Sequence, residues 1–91
     1  MMGKIQKAVE RTVGGSVSHA ETVKVVETFQ GKTVWCGSVE VFKVQSPPPV
    51  LAYGWAVESP SGPDYIAVMG NPPINSAVAA VRAWIVSQAK T

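Results

Sequence analysis

Thr22-Val23-Lys24-Val25-Val26-Glu27-Thr28-Phe29 runs through Gln30-Gly31-Lys32 into a second segment from Thr33 to Val44, and the fold turns on how this stretch is read. Two signals compete over its first half. Ser18-His19-Ala20-Glu21 has the form of a capping box, and Gly31 would close a helix ending at Gln30. Against that, five of the eight residues from Thr22 to Phe29 are β-branched. Such side chains lose rotamer freedom in a helix and pack well on a pleated surface. The short Gln30-Gly31-Lys32 link suits a hairpin. A strand is therefore expected here. The run from Thr33 to Val44 is the strongest strand in the chain: Trp35, Gly37, Val39 and Val41 alternate with Val34, Cys36, Ser38, Glu40 and Phe42. Apolar residues on both faces predict a strand covered on both sides. Gly37 would mark a bulge or a close backbone approach.

Downstream, Ser46-Pro47-Pro48-Pro49 must interrupt the ladder, because proline has no N–H to donate, and it reads as a connector. Val50 to Glu58 is a third strand. Leu51, Tyr53, Trp55 and Val57 point one way, and Val50, Ala52, Gly54 and Ala56 the other. Small residues let a helix backbone come close, so the second face is the expected seat of a C-terminal helix. The aromatic face then needs another cover: an N-terminal helix, a second subunit or a ligand. Ser59-Pro60-Ser61-Gly62-Pro63-Asp64 is a loop, and Tyr65 to Met69 a short fourth strand.

Helices flank this β region. Lys4 to Val13 carries Ile5, Ala8, Val9 and Val13 on one side and Lys4, Lys7 and Arg11 on the other, and Gly14-Gly15 stops it. At the other end, Asn71-Pro72-Pro73-Ile74 opens a helix expected to start near Pro73 and reach Ala89, since proline is tolerated in a first turn. Its inner stripe is Ile74, Ala77, Val78, Val81, Trp84 and Ile85. Its back, Ser76, Ala79, Ala80, Ala83, Val86 and Ser87, carries no charge, which predicts cover on more than one side. The whole reads α-β-β-β-β-α: one α+β domain over residues 1–91, an antiparallel four-stranded sheet with a short N-terminal helix and a long C-terminal one.

Composition narrows the function classes. Charged residues make up 15% of the chain, against about 25% in a typical soluble domain, so part of the surface is expected to meet another copy of the chain. The net charge of +2 is too mild to specify nucleic acid without a clustered footprint. Met1-Met2-Gly3-Lys4 leads into no apolar signal-peptide core, and no apolar run is long enough to span a bilayer. Cys36 is the single cysteine, in keeping with a reducing compartment. The expectation is a cytoplasmic protein that does not engage a membrane.

No motif carries a recognisable chemistry. Nucleophilic catalysis needs an activated thiol or hydroxyl with a base, and only Cys36 and His19 offer a pair. Counting back across Gln30-Gly31 puts Cys36 opposite Val25, some six residues from His19. Cys36 reads as a small buried thiol, His19 as a loop histidine, and Glu40 and Glu58 as isolated strand carboxylates at the sheet rim. Zinc sites draw on clustered Cys and His, and one of each makes no set, so neither metal nor cofactor is expected. Gly14-Gly15-Ser16 lacks the spacing of a phosphate loop. The aromatics are the better lead: Trp35, Tyr53 and Trp55 are candidates to line a pocket for a small apolar ligand, or else the core of the fold.

The helix, strands and final helix, with Gly62-Pro63-Asp64-Tyr65 before a strand, superficially resemble the double-stranded-RNA-binding domain. That family starts its last helix with a run of lysines, where this chain has Pro72-Pro73-Ile74-Asn75-Ser76-Ala77. Only one strand, not two, fits between loop and helix, and the resemblance assigns no function. The leading expectation is a non-catalytic homodimer or higher homo-oligomer, a binding or interaction module meeting its copies through Ala79, Ala83 and Val86. The alternative is a ligand-binding domain or enzyme with its pocket near Tyr53 and Trp55. Nucleic-acid binding through Lys4, Lys7 and Arg11 ranks last.

Overall fold

A computed structural model describes residues 2–45, 50–71 and 74–89. The elements are α1 (Met2–Val13), β1 (Val17–Phe29), β2 (Lys32–Val44), β3 (Val50–Val57), β4 (Asp64–Met69) and α2 (Ala77–Ala89). The strands form one antiparallel sheet in the order β1-β2-β3-β4. This is the α-β-β-β-β-α arrangement the sequence predicts. The proline connector at residues 46–49 and the cap assigned to Pro72 and Pro73 lie outside the described residues.

The capping-box signal at Ser18 loses to β-branching, and Gln30 and Gly31 make a two-residue hairpin turn with φ of 53° and 77°. Two positive φ values in a row match the right-handed twist of the flanking strands. Close to the turn, Val34 is an extra residue: Thr28 pairs with Thr33, but Glu27 pairs with Trp35. This bulge moves the pairings from Glu27–Trp35 to Glu21–Val41 by one, and Ala20 restores the register beyond them. Cys36 therefore stands opposite Val26, not Val25. Gly37 is regular, and its glycine serves close approach instead, since a Cβ there would lie 3.0 Å from the Trp35 ring.

The helices cover opposite faces of the sheet, and they exchange the seats that the sequence suggests. A Cβ added to Gly54 would stand 2.7 Å from Ile5 Cγ2 and 2.8 Å from Val9 Cγ2. Hence α1 occupies the small face, packing Ile5 and Val9 with Val17, Phe42, Val44 and Ala52. On the other face α2 sets Ala77, Ala80 and Val81 against Val25, Val39, Val41, Tyr53 and Trp55. The reason is volume. Branched side chains need glycine and alanine opposite, and a helix of alanines needs large partners, because interiors pack at near-crystalline density. Ala80, placed on the outer side by simple periodicity, is fully buried.

Caps fix the helix ends. Gly14, at φ 80°, closes α1 with its N–H on the Glu10 carbonyl at 2.8 Å. Instead of starting near Pro73, α2 begins at Ala77. There Ser76 Oγ accepts from the Ala79 N–H at 3.1 Å, and the Ser76 carbonyl accepts from the Ala80 N–H at 3.0 Å. Serine supplies the side-chain acceptor that an orphan donor of the first turn requires.

Pairing between β2 and β3 ends at Glu40 and Gly54. Beyond it, β1 and β2 continue as a two-stranded arm to the Gln30-Gly31 turn. A lone hairpin is marginal in water. Here α2 supports the arm, and Arg82 Nε donates to Glu27 Oε1 at 2.6 Å across the gap.

Candidate functional site

Among the described residues, the exposed Phe29, Val34 and Val86 gather where the tip of this arm meets the end of α2. The Val34 bulge makes it: Val34 and Trp35 both turn to the α2 side, Trp35 inward to the core and Val34 outward. With Thr28, Phe29, Ile85 and Val86, and with the Glu27–Arg82 pair, Val34 lines an open groove of about 370 Å³. Phe29 is 66% exposed, Val86 53% and Val34 47%. The wall is almost wholly hydrocarbon. It can bury apolar side chains, and its one charged feature already spends itself across the groove.

Among the residues expected to form an interface, Val86 lines this groove. Ala83 is exposed beside it, and Ala79 is half-buried. The aromatic candidates lie elsewhere. Trp55 and Tyr53 are buried beneath α2 and Trp35 is half-buried. The Trp35 and Trp55 rings are 6.1 Å apart, and Trp84 meets Trp55 edge-to-face at 5.9 Å. Trp55 Nε1 is buried with no acceptor among the described residues.

Tyr53 stands apart from the indoles. It borders a second groove of about 270 Å³ with Glu21, Leu51, Asn75 and Ser76. Burial raises its phenol above the ordinary value, and the Glu21 carboxylate adds to the shift. The hydroxyl therefore stays protonated. It can donate a hydrogen bond but is no ready base.

The structure also brings together three polar side chains that read as unrelated in the sequence. His19 is part of β1, not of a loop, and Glu40 is not isolated. His19 Nε2 lies 2.8 Å from Glu40 Oε1, and Thr22 Oγ1 donates to the same oxygen at 2.5 Å. Ala20 is the extra residue of a second bulge, which brings His19 and Thr22 to one face three positions apart. A nucleophile relay needs the imidazole between hydroxyl and carboxylate. Here the carboxylate is central and both donors are spent on it. The cluster braces β1 to β2, with Phe42 against the imidazole at 5.5 Å. Counting back from the turn pairs Thr22 with Val39, and the Val34 bulge shifts it to Glu40.

Cys36 is exposed and not buried as the sequence suggests, because it lies on the two-stranded arm beyond the reach of β3, away from this cluster. Among the described residues no three His, Cys, Asp or Glu side chains gather as a metal set, and no helix is long and apolar enough to cross a membrane. No protein-family model, curated protein or solved structure matches the chain.

Proposed function

We propose that the protein is a small non-catalytic interaction module that works as a homodimer, each copy seating its arm tip in the other's groove. The observation that carries this reading is the exposure of Phe29, Val34 and Val86 around one concavity. A two-fold interface is isologous, so the same patch must supply both knob and hole. Phe29 at the rim is a knob, and the space between Val34 and Val86 is a hole of suitable chemistry. The low charge content supports the same reading.

Size sets the rest of the interface. A stable dimer uses about 20–30 residues a side, and the groove has seven. The contact must extend along the uncharged back of α2, through Ala83 and Ala79. A reducing, cytoplasmic setting suits such a module, because Cys36 is exposed and would otherwise cross-link copies.

Sedimentation equilibrium at micromolar concentration tests the proposal. The wild-type chain is expected to sediment as a dimer. Phe29→Ser is expected to weaken the dimer by roughly thirtyfold, the counterpart of a ~2 kcal/mol hot spot. Ala83→Glu should dissociate it while changing the stability of the monomer by no more than about 0.5 kcal/mol. A wild-type monomer at these concentrations would overturn the reading.

A further inference from the structure

On the α1 side of the sheet, Lys4, Lys7 and Arg11 follow one another along a single helix face and form one wall of a concavity of about 380 Å³. Pro63, Asp64 and Tyr65 form the other wall, and the turn before them is tied by Ser59 and Gly62, which exchange both backbone hydrogen bonds. We propose that this concavity binds a ligand through linked phosphate groups.

Charge placement carries the inference. The chain has eight cations and six carboxylates; three cations and one carboxylate line this concavity, leaving five of each elsewhere. The entire net charge of the chain is therefore concentrated here. Among the described residues, none of these four charged groups has an ion-pair partner, the two pairs present being His19–Glu40 and Arg82–Glu27. The first turn of α1 contains no acidic residue. The helix dipole adds to the positive potential at Lys4 and opposes it at Arg11, in the last turn.

Geometry selects the ligand class. Lys4 and Arg11 are separated by about 10 Å of helix rise, so a single phosphate cannot reach all three cations, whereas linked phosphates can. Asp64, on the β4 wall, repels anions from that side and confines them to α1. Half-buried Tyr65 offers a hydroxyl and a ring edge to whatever the phosphates carry. The site lies on the face opposite the apolar groove and does not depend on dimer formation.

Calorimetric titration with tripolyphosphate at low ionic strength is the test. Saturable one-to-one binding per chain is expected, weakened roughly tenfold in Lys7→Gln and abolished when Lys4, Lys7 and Arg11 are all glutamine. Lys24→Gln, on the arm, should leave it unchanged. A single-stranded oligonucleotide separates the sources. Binding much tighter than tripolyphosphate, falling roughly a hundredfold per tenfold rise in salt for three contacts, assigns the phosphates to a nucleic-acid backbone. Equal or weaker binding assigns them to a small oligophosphate. No saturable tripolyphosphate binding, binding that survives the triple substitution, or inorganic phosphate binding equally well would overturn the proposal.

Discussion

The two faces of the sheet solve the same packing problem with opposite distributions of volume. Under α1 the helix supplies the bulk, Ile5 and Val9, and the sheet recedes to Gly54 and Ala52. Under α2 the sheet supplies it, with Tyr53, Trp55 and the flanking Trp35, and the helix recedes to Ala77 and Ala80. The summed volume of a layer decides which helix seats where, and the sheet face alone does not.

Two substitutions in neighbouring residues of β3 break this comparison in opposite directions. Trp55→Ala removes the largest fully buried side chain, from between Trp35 and Trp84, and is expected to destabilise by about 3–5 kcal/mol in urea unfolding. Small helix residues cannot collapse into so large a void. Gly54→Ala instead overfills the α1 layer, because its Cβ falls within contact distance of two branched side chains. A loss of about 1–3 kcal/mol is expected. The volume argument makes a further demand: Val9→Ala added to Gly54→Ala should destabilise less than the sum of the two single changes. Additive behaviour in that double-mutant cycle would show that α1 does not press on Gly54.

How much of this was legible beforehand follows from the same physics. Element type and order were readable because β-branching, turn chemistry and glycine stops act locally. The seats of the helices were not. The small face of β3 was visible in Ala52, Gly54 and Ala56, but choosing its partner required comparing Ile5 and Val9 with Ala77 and Ala80. The start of α2 is masked because a proline tolerated in a first turn looks like a start, while the capping hydroxyl of Ser76 stands four residues beyond Pro72. The bulges at Val34 and Ala20 were the least legible features, since nothing in the local pattern marks an extra residue. They matter most for the candidate sites. One turns Val34 toward the groove, and the other gathers His19, Thr22 and Glu40. Of the expected interface residues, Val86 and Ala83 lie at the groove or beside it, while the charge-poor back that singled them out also included the buried Ala80.

Tyr53 sharpens the comparison with the smallest expected effect, because α2 covers a titratable phenol and α1 covers hydrocarbon. Burial, and then the Glu21 carboxylate, raise its pKa in the folded protein above the unfolded value of 10.0. The folded state therefore holds the Tyr53 proton at pH values where the unfolded chain releases it. Its contribution is fully present below pH 10 and declines as the pH rises from there toward the folded value. Wild-type stability, followed by urea unfolding, should thus fall more steeply above pH 10 than that of Tyr53→Phe. Below pH 9 the two curves should run parallel. Parallel curves across the whole range would mean that the phenol meets water freely, and that α2 does not seal its half of the sheet at the Asn75–Ala77 end.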